Sequence, residues 1–419
     1  LISYEKPKIT LDDEFSITFS SGSTNEPKSI VHTVKSFVAM GRWHDTNISH
    51  SPNMSWMTVL AEIYVHSNTG LICCISDGLL QGCKVALEPI HNHDFFINSL
   101  LINKPHYAIE SRSFWLNTMK KLENNPAYKN TKFPFLMVPF SVGEPLAPGE
   151  EKYLNKMLRQ ARAGSDKIPI PISPITMSVA GGSCENGGIF FILFRALHNK
   201  IPSKLLKKSL YGMESYETVE YATLRENGEF CNNNEIGRLV ANSICTMKEY
   251  QDNPEATKAF FIHDIDGKEW ADCNVFASID RHNSIDIKGR ISENHCEVQP
   301  YEIMEIIQKD TKNILSCEVI KTERNGKNYF VAHIEPQPKK YHKIIPILIS
   351  CEKRCQKFFG KELSEQILFA PTTKKGIPIA VSGKRATKEL EKQGITENCV
   401  KPIQTSKNKS EPARLLEIW

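Results

Sequence analysis

The sequence predicts an α/β protein with more than one domain, and three observations lead to this class. The chain has 419 residues, of which 40% are hydrophobic and 24% charged, enough to form more than one buried core. Glu14–Phe19 alternates apolar and polar residues like a half-buried strand, and a loop and a helical pattern follow it. Residues 313–333 contain two further strand patterns separated by turn residues. We therefore expect strands and helices in both halves of the chain.

Charge and hydropathy argue against several classes of protein. The chain carries 52 basic and 48 acidic side chains and a net charge of +4, so nothing global predicts binding to nucleic acid or to an anionic membrane. The longest apolar stretches, residues 71–75 and 189–194, are much shorter than the roughly 20 residues that span a bilayer. The first residues lack the basic start and apolar run of a secretory signal, so we expect a cytoplasmic or organelle-lumen location.

The 12 cysteines are scattered along the chain. The closest groupings, Cys73 with Cys74 and Cys351 with Cys355, lack the paired spacing of zinc ribbons or knuckles. We therefore expect reduced thiols that pack in the interior rather than metal ligands.

A loop rich in small hydroxyl residues follows the first strand. It reads Ser-Ser-Gly-Ser-Thr-Asn-Glu-Pro-Lys-Ser over residues 20–29, and helical spacing extends from Ile30 to Trp43. Loop amides and hydroxyls can bind an anion together, and Lys28 adds a mobile positive charge. Pro27 stands where a Walker loop has glycine, so the loop is not of that type. Taken alone, a segment of this composition is more often a surface turn.

Residues 19–31 resemble the phosphate loop of the adenylate-forming acyl-CoA ligase family, Ser/Thr-Ser-Gly-Ser/Thr-Thr-Gly-x-Pro-Lys-Gly. Residues 30–33 look especially similar to the acetoacetyl-CoA synthetase branch of that family. Asn25 and Ser29 replace two family glycines, and Asn is the residue that, after glycine, best tolerates positive backbone dihedrals. Further matches follow in the family's own order, so that the resemblance covers residue 17 to about residue 390.

Two of these matches concern the acyl pocket and the adenine. Residues 56–87 resemble the family segment beside the acyl group, and the resemblance assigns Trp56 and His66 to that pocket. Residues 142–146 are similar to the family's Gly-Gly-Glu-Pro-Leu turn, whose backbone lies beside the adenine. By itself that pentapeptide is only a turn, and a lone histidine is more often a core or surface residue.

Residues 181–188 begin with a double glycine and occupy the place of the family's Tyr-Gly-x-Thr-Glu motif. The resemblance makes Glu185 the magnesium ligand. Cys184 stands in the threonine position, so the neighbouring hydroxyl would come from Ser183. A rival frame at residues 211–214, Tyr-Gly-Met-Glu, shares letters with the motif and stays open.

The ribose motif is located by two matches that precede it, residues 235–239 and 253–257, and by counting back from Gly289 and Arg290. In the family, the aspartate of a Thr-Gly-Asp segment grips both ribose hydroxyls. In this chain Asn274 or Val275 takes its place. Asn carries no charge and Val neither donates nor accepts hydrogen bonds, so we expect weak nucleotide binding.

Residues 376–384 are the last match, to Pro-x-Thr-x-Ser-Gly-Lys, with Ala380 where threonine is usual. The resemblance places Lys384 at the catalytic lysine. Residues 291–297 are shorter than the family's Lys-rich hinge loop, which helps to form its thiol tunnel. This shortening bears on thioester formation more directly than on adenylation.

The resemblance implies a large α/β domain with mixed sheets at residues 1–290, the front part of which is missing, and a small α+β lid domain at residues 291–419. Glu185 and Lys384 are the expected catalytic residues, and Glu185 is also the expected metal ligand. The expected ATP-binding residues are Ser21, Gly22, Ser23, Thr24, Lys28, Gly143, Glu144, Pro145, Gly182, Ser183, Asn274 and Arg290.

The implied reaction is ATP-dependent activation of a small carboxylic acid to an acyl-adenylate, followed by thioester formation with coenzyme A. The expected cofactors are ATP, Mg²⁺ and coenzyme A. The changes at Asn25, Cys184 and Asn274 motivate an alternative, a catalytically impaired relative with a nucleotide- or ligand-binding role. A further alternative is a stand-alone adenylation module that loads a carrier protein. The sequence identifies neither the acid nor the oligomeric state.

Overall fold

A computed structural model of the chain describes residues 8–20, 27–44, 57–61, 70–71, 75, 77–80, 82–87, 92–143, 146–165, 175–192, 219–281, 285–291, 298–379, 385–402 and 415–417. The chain divides into two compact units. The first, larger unit is Leu1–Pro145 with Leu158–Ile291, and the second is Leu146–Met157 with Ser292–Trp419. Both units combine strands with helices, which confirms the predicted α/β class. None of the described helices has the length and hydropathy needed to cross a bilayer.

The strands of the first unit are β1 (Glu14–Phe19), β2 (Ser29–Thr33), β3 (Thr58–Ala61), β4 (Lys84–Leu87), β5 (Tyr107–Ser111), β6 (Val138–Val142), β7 (Ser178–Ser183), β8 (Gly187–Ile192), β9 (Val219–Leu224), β10 (Ile236–Ser243), β11 (Glu249–Tyr250), β12 (Phe261–His263), β13 (Glu269–Ile279) and β14 (Ile285–Arg290). Those of the second unit are β15 (Ile314–Arg324), β16 (Lys327–Pro336), β17 (Ile367–Pro371), β18 (Val400–Pro402) and β19 (Leu415–Glu417). The helices are α1 (Val34–His44), α2 (Asp77–Leu80), α3 (His93–Ile102), α4 (Arg112–Asn124), α5 (Pro148–Gln160), α6 (Pro254–Phe260), α7 (Pro300–Gln308), α8 (Ile344–Glu365) and α9 (Thr387–Gln393), with short 3-10 helices at Pro126–Tyr128 and Tyr341–Lys343.

A mixed sheet in the order β4-β3-β5-β6-β7-β8 forms the main core of the first unit. The pairs from β4 to β7 are parallel, and β8 joins β7 antiparallel. Every residue of β5 is buried, as expected for a parallel strand covered on both faces. Helix α4 packs its Trp115 into this core, where the indole N–H donates to the Phe140 carbonyl at 2.8 Å.

The first strand and the hydroxyl-rich loop belong to a smaller sheet in the order β1-β2-β11. The prediction that a helix starts at Ile30 is wrong, because residues 29–33 form β2 and the helix begins only at Val34. β-branched residues occupy this stretch, and β1 and β11 pair with it from both sides. Tertiary pairing therefore prevails over the helical spacing at the start of the segment.

His32, in the middle of β2, is fully buried, and its imidazole Nε2–H donates to the Cys184 carbonyl at 2.8 Å. Burial lowers the pKa of His32, although the Cys184 carbonyl and the charge of Glu185 act in the opposite direction. The imidazole is therefore neutral near pH 7. This bond fixes β2 to the turn between β7 and β8.

An antiparallel sheet completes the first unit. Its strand order is β12-β13-β10-β9, with β14 paired to β13. Strand β13 is central, because it pairs with β10, β12 and β14 along its length.

The second unit is built on a sheet in the order β15-β16-β17-β18-β19, with α7 and α8 packed against it. The two strands predicted within residues 313–333 are β15 and β16, so this prediction is confirmed. Asn325 and Gly326 form the turn with φ of 53° and 73°, the positive values that a two-residue hairpin of Asn-Gly type requires. The nine described cysteines of the chain are all free, and three of the buried ones, Cys317, Cys351 and Cys355, pack in this core.

The start of helix α5 packs tightly against β15 within this second unit. A Cβ atom on Gly149 would lie 2.2 Å from the Ile314 carbonyl oxygen and 2.6 Å from that of Leu315. The Gln337 side-chain nitrogen lies 3.1 Å from the Gly149 oxygen and 3.2 Å from the Ile314 oxygen, so one amide joins helix and strand. Only glycine allows this approach of two backbones.

We predict that His32→Gln reduces the pH dependence of stability. Because the pKa of His32 is lower in the folded state, the unfolded chain binds its proton at higher pH. The neutral imidazole of His32 therefore contributes fully to stability above roughly pH 6.5. This contribution is lost as the pH falls toward the pKa that His32 has in the folded state. Gln keeps an N–H donor for Cys184 but does not titrate. Denaturant unfolding should show that the free energy of unfolding falls less between about pH 7.5 and about pH 5.5 in His32→Gln than in the parent. The control variant His263→Gln changes an exposed histidine and should show the same fall in the free energy of unfolding as the parent. The same fall in His32→Gln would contradict the account.

Gly149→Ala should destabilise the protein, although the same change in an open helix stabilises by about 1 kcal/mol. The new methyl group would overlap carbonyl oxygens of β15, which are backbone atoms and cannot rotate away. Overpacking of this kind costs roughly 1–3 kcal/mol. Chemical denaturation followed by circular dichroism gives the sign of the change in the free energy of unfolding. A variant more stable than the parent would refute the close contact.

Candidate functional site

The turn between β7 and β8 carries the predicted metal ligand. The Ser183 hydroxyl accepts a hydrogen bond from the Asn186 backbone N–H at 3.0 Å, which closes the turn. Gly187 has a φ of 67°, and a Cβ there would lie 2.9 Å from Met40, so the turn ends at a residue that must be glycine. Cys184 and Glu185 therefore form the tip of a tight turn.

Two further hydrogen bonds hold Glu185 in place. Its backbone carbonyl accepts from the Met247 N–H at 2.6 Å, and its Oε1 accepts from the Tyr250 hydroxyl at 2.9 Å. Tyr250 is buried, and burial together with the nearby Glu185 charge raises the pKa of its hydroxyl far above the usual value. The phenol therefore stays protonated and acts as a donor to the carboxylate.

Lys28, which follows the hydroxyl-rich loop, contacts the same tyrosine. Its Nζ lies 4.6 Å from the centroid of the Tyr250 ring, a cation–π distance. At the base of the loop, the Ser20 N–H donates to the Lys28 carbonyl at 3.0 Å, and the Lys28 N–H donates to the Ser20 hydroxyl at 3.2 Å. Tyr250 thus contacts both Lys28 and Glu185, which lie far apart in the sequence.

The donor set at Glu185 fits a magnesium ion bound together with phosphate. Within the described residues, Glu185 Oε2 accepts no hydrogen bond, so it has a free oxygen to offer. The described part of the chain contains no group of three or more His, Cys, Asp or Glu side chains placed to hold a metal. Mg²⁺ is commonly held by one or two carboxylates while phosphates and waters complete its shell, and a single carboxylate here suits that arrangement.

Two predicted glycines lie at the carboxyl ends of neighbouring parallel strands. Gly143 directly follows β6 with a φ of 82°, and Gly182 is an exposed residue near the end of β7. Strands β6 and β7 pair in parallel, so both glycines lie at the same edge of the sheet. Ligands of open α/β sheets characteristically bind outside this edge.

The predicted ribose segment lies on β13. Asn274 is exposed and has a φ of 53°, a left-handed conformation that asparagine tolerates better than most residues. Asp272 Oδ1 accepts from the Asn274 N–H at 2.8 Å, and Oδ2 accepts from Arg238 Nη1 at 2.8 Å. Both oxygens of this nearby carboxylate are therefore already engaged. Val275 pairs with Arg290 on β14, which brings this candidate ribose position next to a predicted ATP-binding residue.

Nine predicted site residues lie outside the described residues: Ser21, Gly22, Ser23, Thr24, Trp56, His66, Glu144, Pro145 and Lys384. The rival frame at residues 211–214 and the hinge segment from residue 292 to 297 also lie outside them. The roles assigned to these residues stay predictions.

Sequence reasoning missed His32 and Tyr250, which position the Glu185 turn. The available signal for His32 was its place in an Ile-Val-His-Thr segment of β-branched residues, which favours a strand. Tyr250 lies three residues before the start of the segment 253–257, but nothing local indicates its partner.

No protein-family model matches this chain, and no curated protein matches it. Solved structures do match. The anthranilate CoA ligase AuaEII in complex with anthranoyl-AMP superposes with a TM-score of 0.71 at 15% identity, covering 94% of this chain and 69% of that one.

Two further structures are similar to the same extent. ATP-bound MatB from Rhodopseudomonas palustris matches with a TM-score of 0.68 at 14% identity, covering 93% of this chain and 70% of that one. The amide bond synthetase McbA from Marinactinospora thermotolerans matches with a TM-score of 0.67 at 13% identity, covering 90% and 68%. The chain therefore has the fold of the adenylate-forming ligases, as its sequence motifs predict.

Proposed function

We propose that this chain activates a carboxylic acid with ATP to an acyl-adenylate and transfers the acyl group to the thiol of coenzyme A. The observation that carries the proposal is the meeting of Lys28 and Glu185 on Tyr250, at the turn that follows the carboxyl end of β7. A cation from the phosphate-loop hairpin and a carboxylate with a free oxygen suit a magnesium-bound triphosphate. The fold supports the same reaction class, since the matching structures include an ATP complex and an acyl-AMP complex.

The first half-reaction brings together two groups that repel each other. The acid's carboxylate oxygen attacks the α-phosphorus, a new O–P bond forms, and the bond to the bridging oxygen breaks to release pyrophosphate. Lys28 and the hydroxyls of Ser21, Ser23 and Thr24 hold the β- and γ-phosphates. Glu185 would hold a magnesium ion, which would supply positive charge against the phosphates. Lys384 stabilises the negative charge that develops between carboxylate and α-phosphate.

The second half-reaction needs no further ATP. The coenzyme A thiolate attacks the acyl carbonyl of the adenylate, the C–O bond to AMP breaks, and AMP leaves with the electron pair. A smaller domain in this family rotates between the half-reactions, a step that commonly limits turnover in enzymes that close over their substrate. Lys384 serves only the first of them.

A catalytically impaired relative is the second candidate, and the ribose segment favours it. The left-handed backbone of Asn274 suits the glycine of the family's Thr-Gly-Asp, which favours Val275 over Asn274 as the position of the aspartate. Asp272 does not replace that carboxylate, because Arg238 and the Asn274 N–H use both of its oxygens. This candidate binds ATP weakly and releases no pyrophosphate.

Pyrophosphate release from ATP and magnesium, with a panel of short, keto and aromatic carboxylic acids, distinguishes the two candidates. We expect release with at least one acid. Lys384→Ala should lower adenylation by on the order of a hundredfold or more, the usual effect of removing a preorganised transition-state donor. The same variant should still convert preformed acyl-adenylate and coenzyme A to thioester at close to the parent rate. No release with any acid from a correctly folded protein would support the impaired relative, and loss of both half-reactions in Lys384→Ala would refute the role given to the lysine.

Restoring an acidic side chain should strengthen ATP binding. A charge-assisted hydrogen bond contributes roughly 1.5–3 kcal/mol, so Val275→Asp should tighten ATP by about tenfold to a hundredfold, with Asn274→Asp as the alternative position. Calorimetry measures both variants. The control Asn233→Asp adds the same charge at an exposed site and should leave the affinity unchanged. If neither Val275→Asp nor Asn274→Asp binds ATP more tightly than the parent, the placement of the ribose motif is wrong.

A further inference from the structure

We propose that the exposed edge of β1 is a docking surface for a second copy of this chain, which adds its own β1 as an antiparallel strand. Strand β1 contains none of the predicted site residues, so the inference goes beyond the proposed function and does not depend on it. It rests on the apolar side chains of the strand, on its open edge and on its own symmetry.

Large apolar side chains of β1 face solvent. Phe15, Ile17 and Phe19 alternate along the strand and are 52%, 45% and 57% exposed. The Phe15 ring contacts that of Phe37 on α1, with centroids 4.2 Å apart, and the neighbouring Val38 is 40% exposed. Exposed apolar side chains that are scattered singly are ordinary, but a contiguous set marks an interaction site.

Strand β1 is also an edge of its sheet, since among the described strands it pairs only with β2. The Ser20 N–H donates to the Lys28 carbonyl at 3.0 Å. In an antiparallel ladder the hydrogen-bonding side alternates from one residue to the next. The backbone groups of Thr18 therefore face β2, whereas those of Ile17 and Phe19 face the open edge. An added strand would bond to two of the residues whose side chains are exposed.

The usual protection of an edge strand is missing from this stretch. Natural edge strands carry charges, proline or bulges that prevent pairing with another chain. Residues 15–19 read Phe-Ser-Ile-Thr-Phe and carry no charge. The adjacent Glu14 is paired with Lys248 Nζ at 2.7 Å, and the bulge in the ladder with β2 lies between Glu14 and Ser16. Residues 17–19 are therefore regular, uncharged and open to pairing.

A second copy fits this edge because the stretch is complementary to itself. In a two-fold antiparallel pair about Thr18, Ile17 lies opposite the partner's Phe19, and Phe19 lies opposite the partner's Ile17. Both outward-facing residues are then hydrogen-bonded at once. A pair about Ile17 would instead set Phe19 against Phe15, which lies in the bulge. An aromatic side chain opposite a β-branched one is a favourable cross-strand pair.

The area of this surface suits a weak dimer. Four large side chains, each about half exposed, contribute roughly 400 Å² per copy, and the paired backbones add to this. Two copies would then bury on the order of 1,000 Å², which is near the lower limit for a specific interface. We therefore expect a dissociation constant of about 1–100 µM for the dimer.

Sedimentation velocity of the full chain, from about 1 µM to about 200 µM, tests the proposal. The parent should change from monomer to dimer across this range. Ile17→Lys and Phe19→Glu should each raise the dissociation constant about tenfold or more, because a charge enters both cross-strand pairs. Ile236→Lys is the matched control, since Ile236 lies on β10 of the same unit and is 46% exposed. It should dimerise like the parent.

An equimolar mixture of Ile17→Lys and Phe19→Glu tests the register. In the mixed dimer the new ammonium lies opposite the new carboxylate, and the other pair remains Ile17 with Phe19. Mixing should therefore restore dimers that neither variant forms alone. A mixture that stays monomeric would overturn the pairing about Thr18.

Hydrogen exchange of the parent gives a readout that needs no substitution. Peptides containing Ile17 and Phe19 should exchange more slowly at high protein concentration than at low concentration. This result decides the outcome if circular dichroism shows that a variant does not fold. A parent that stays monomeric over the whole range would overturn the inference and leave the surface to a different polypeptide. Variants at Ile17 and Phe19 that dimerise as tightly as the parent would also overturn it.

Discussion

A buried tyrosine hydroxyl needs a hydrogen-bond partner, and in this chain the partner of Tyr250 is the carboxylate of Glu185. The bond joins β11 to the turn between β7 and β8, and so connects the small sheet to the main sheet of the first unit. The same ring lies under the ammonium of Lys28. Burial keeps the phenol protonated, so it stays a donor to the carboxylate across the physiological pH range. The candidate phosphate and metal groups are placed by this one interaction.

The supporting contacts have the same character. His32 is neutral and buried and donates to the carbonyl of Cys184, while the Met247 N–H donates to that of Glu185. Each of these two hydrogen bonds pairs a backbone carbonyl group that would be costly to bury without a partner. The turn therefore has a defined position before any ligand binds. A preorganised carboxylate and cation are what charge stabilisation at a phosphate requires.

Local patterns predicted the parts of the fold that local forces determine. The hairpin of β15 and β16 followed from strand alternation around Asn325 and Gly326, whose positive φ values the turn requires. The strand at residues 29–33 was missed because β1 and β11 pair with it from other parts of the sequence. The motif at Glu185 was assigned from its order along the chain, and that assignment stays a prediction. Tyr250 was not, because it meets Glu185 across 65 residues and nothing near either residue indicates that contact.

Tyr250 is proposed to act on ATP through Glu185, and a double-mutant cycle tests this most directly. Calorimetry gives the ATP affinity in magnesium for the parent, Tyr250→Phe, Glu185→Gln and the double variant. We predict that each single change weakens binding and that the double variant binds about as weakly as Glu185→Gln. The coupling energy should then lie in the range of roughly 0.5–3 kcal/mol found for residues in contact. Effects that add to within about 0.5 kcal/mol, as for distant sites, would contradict the account.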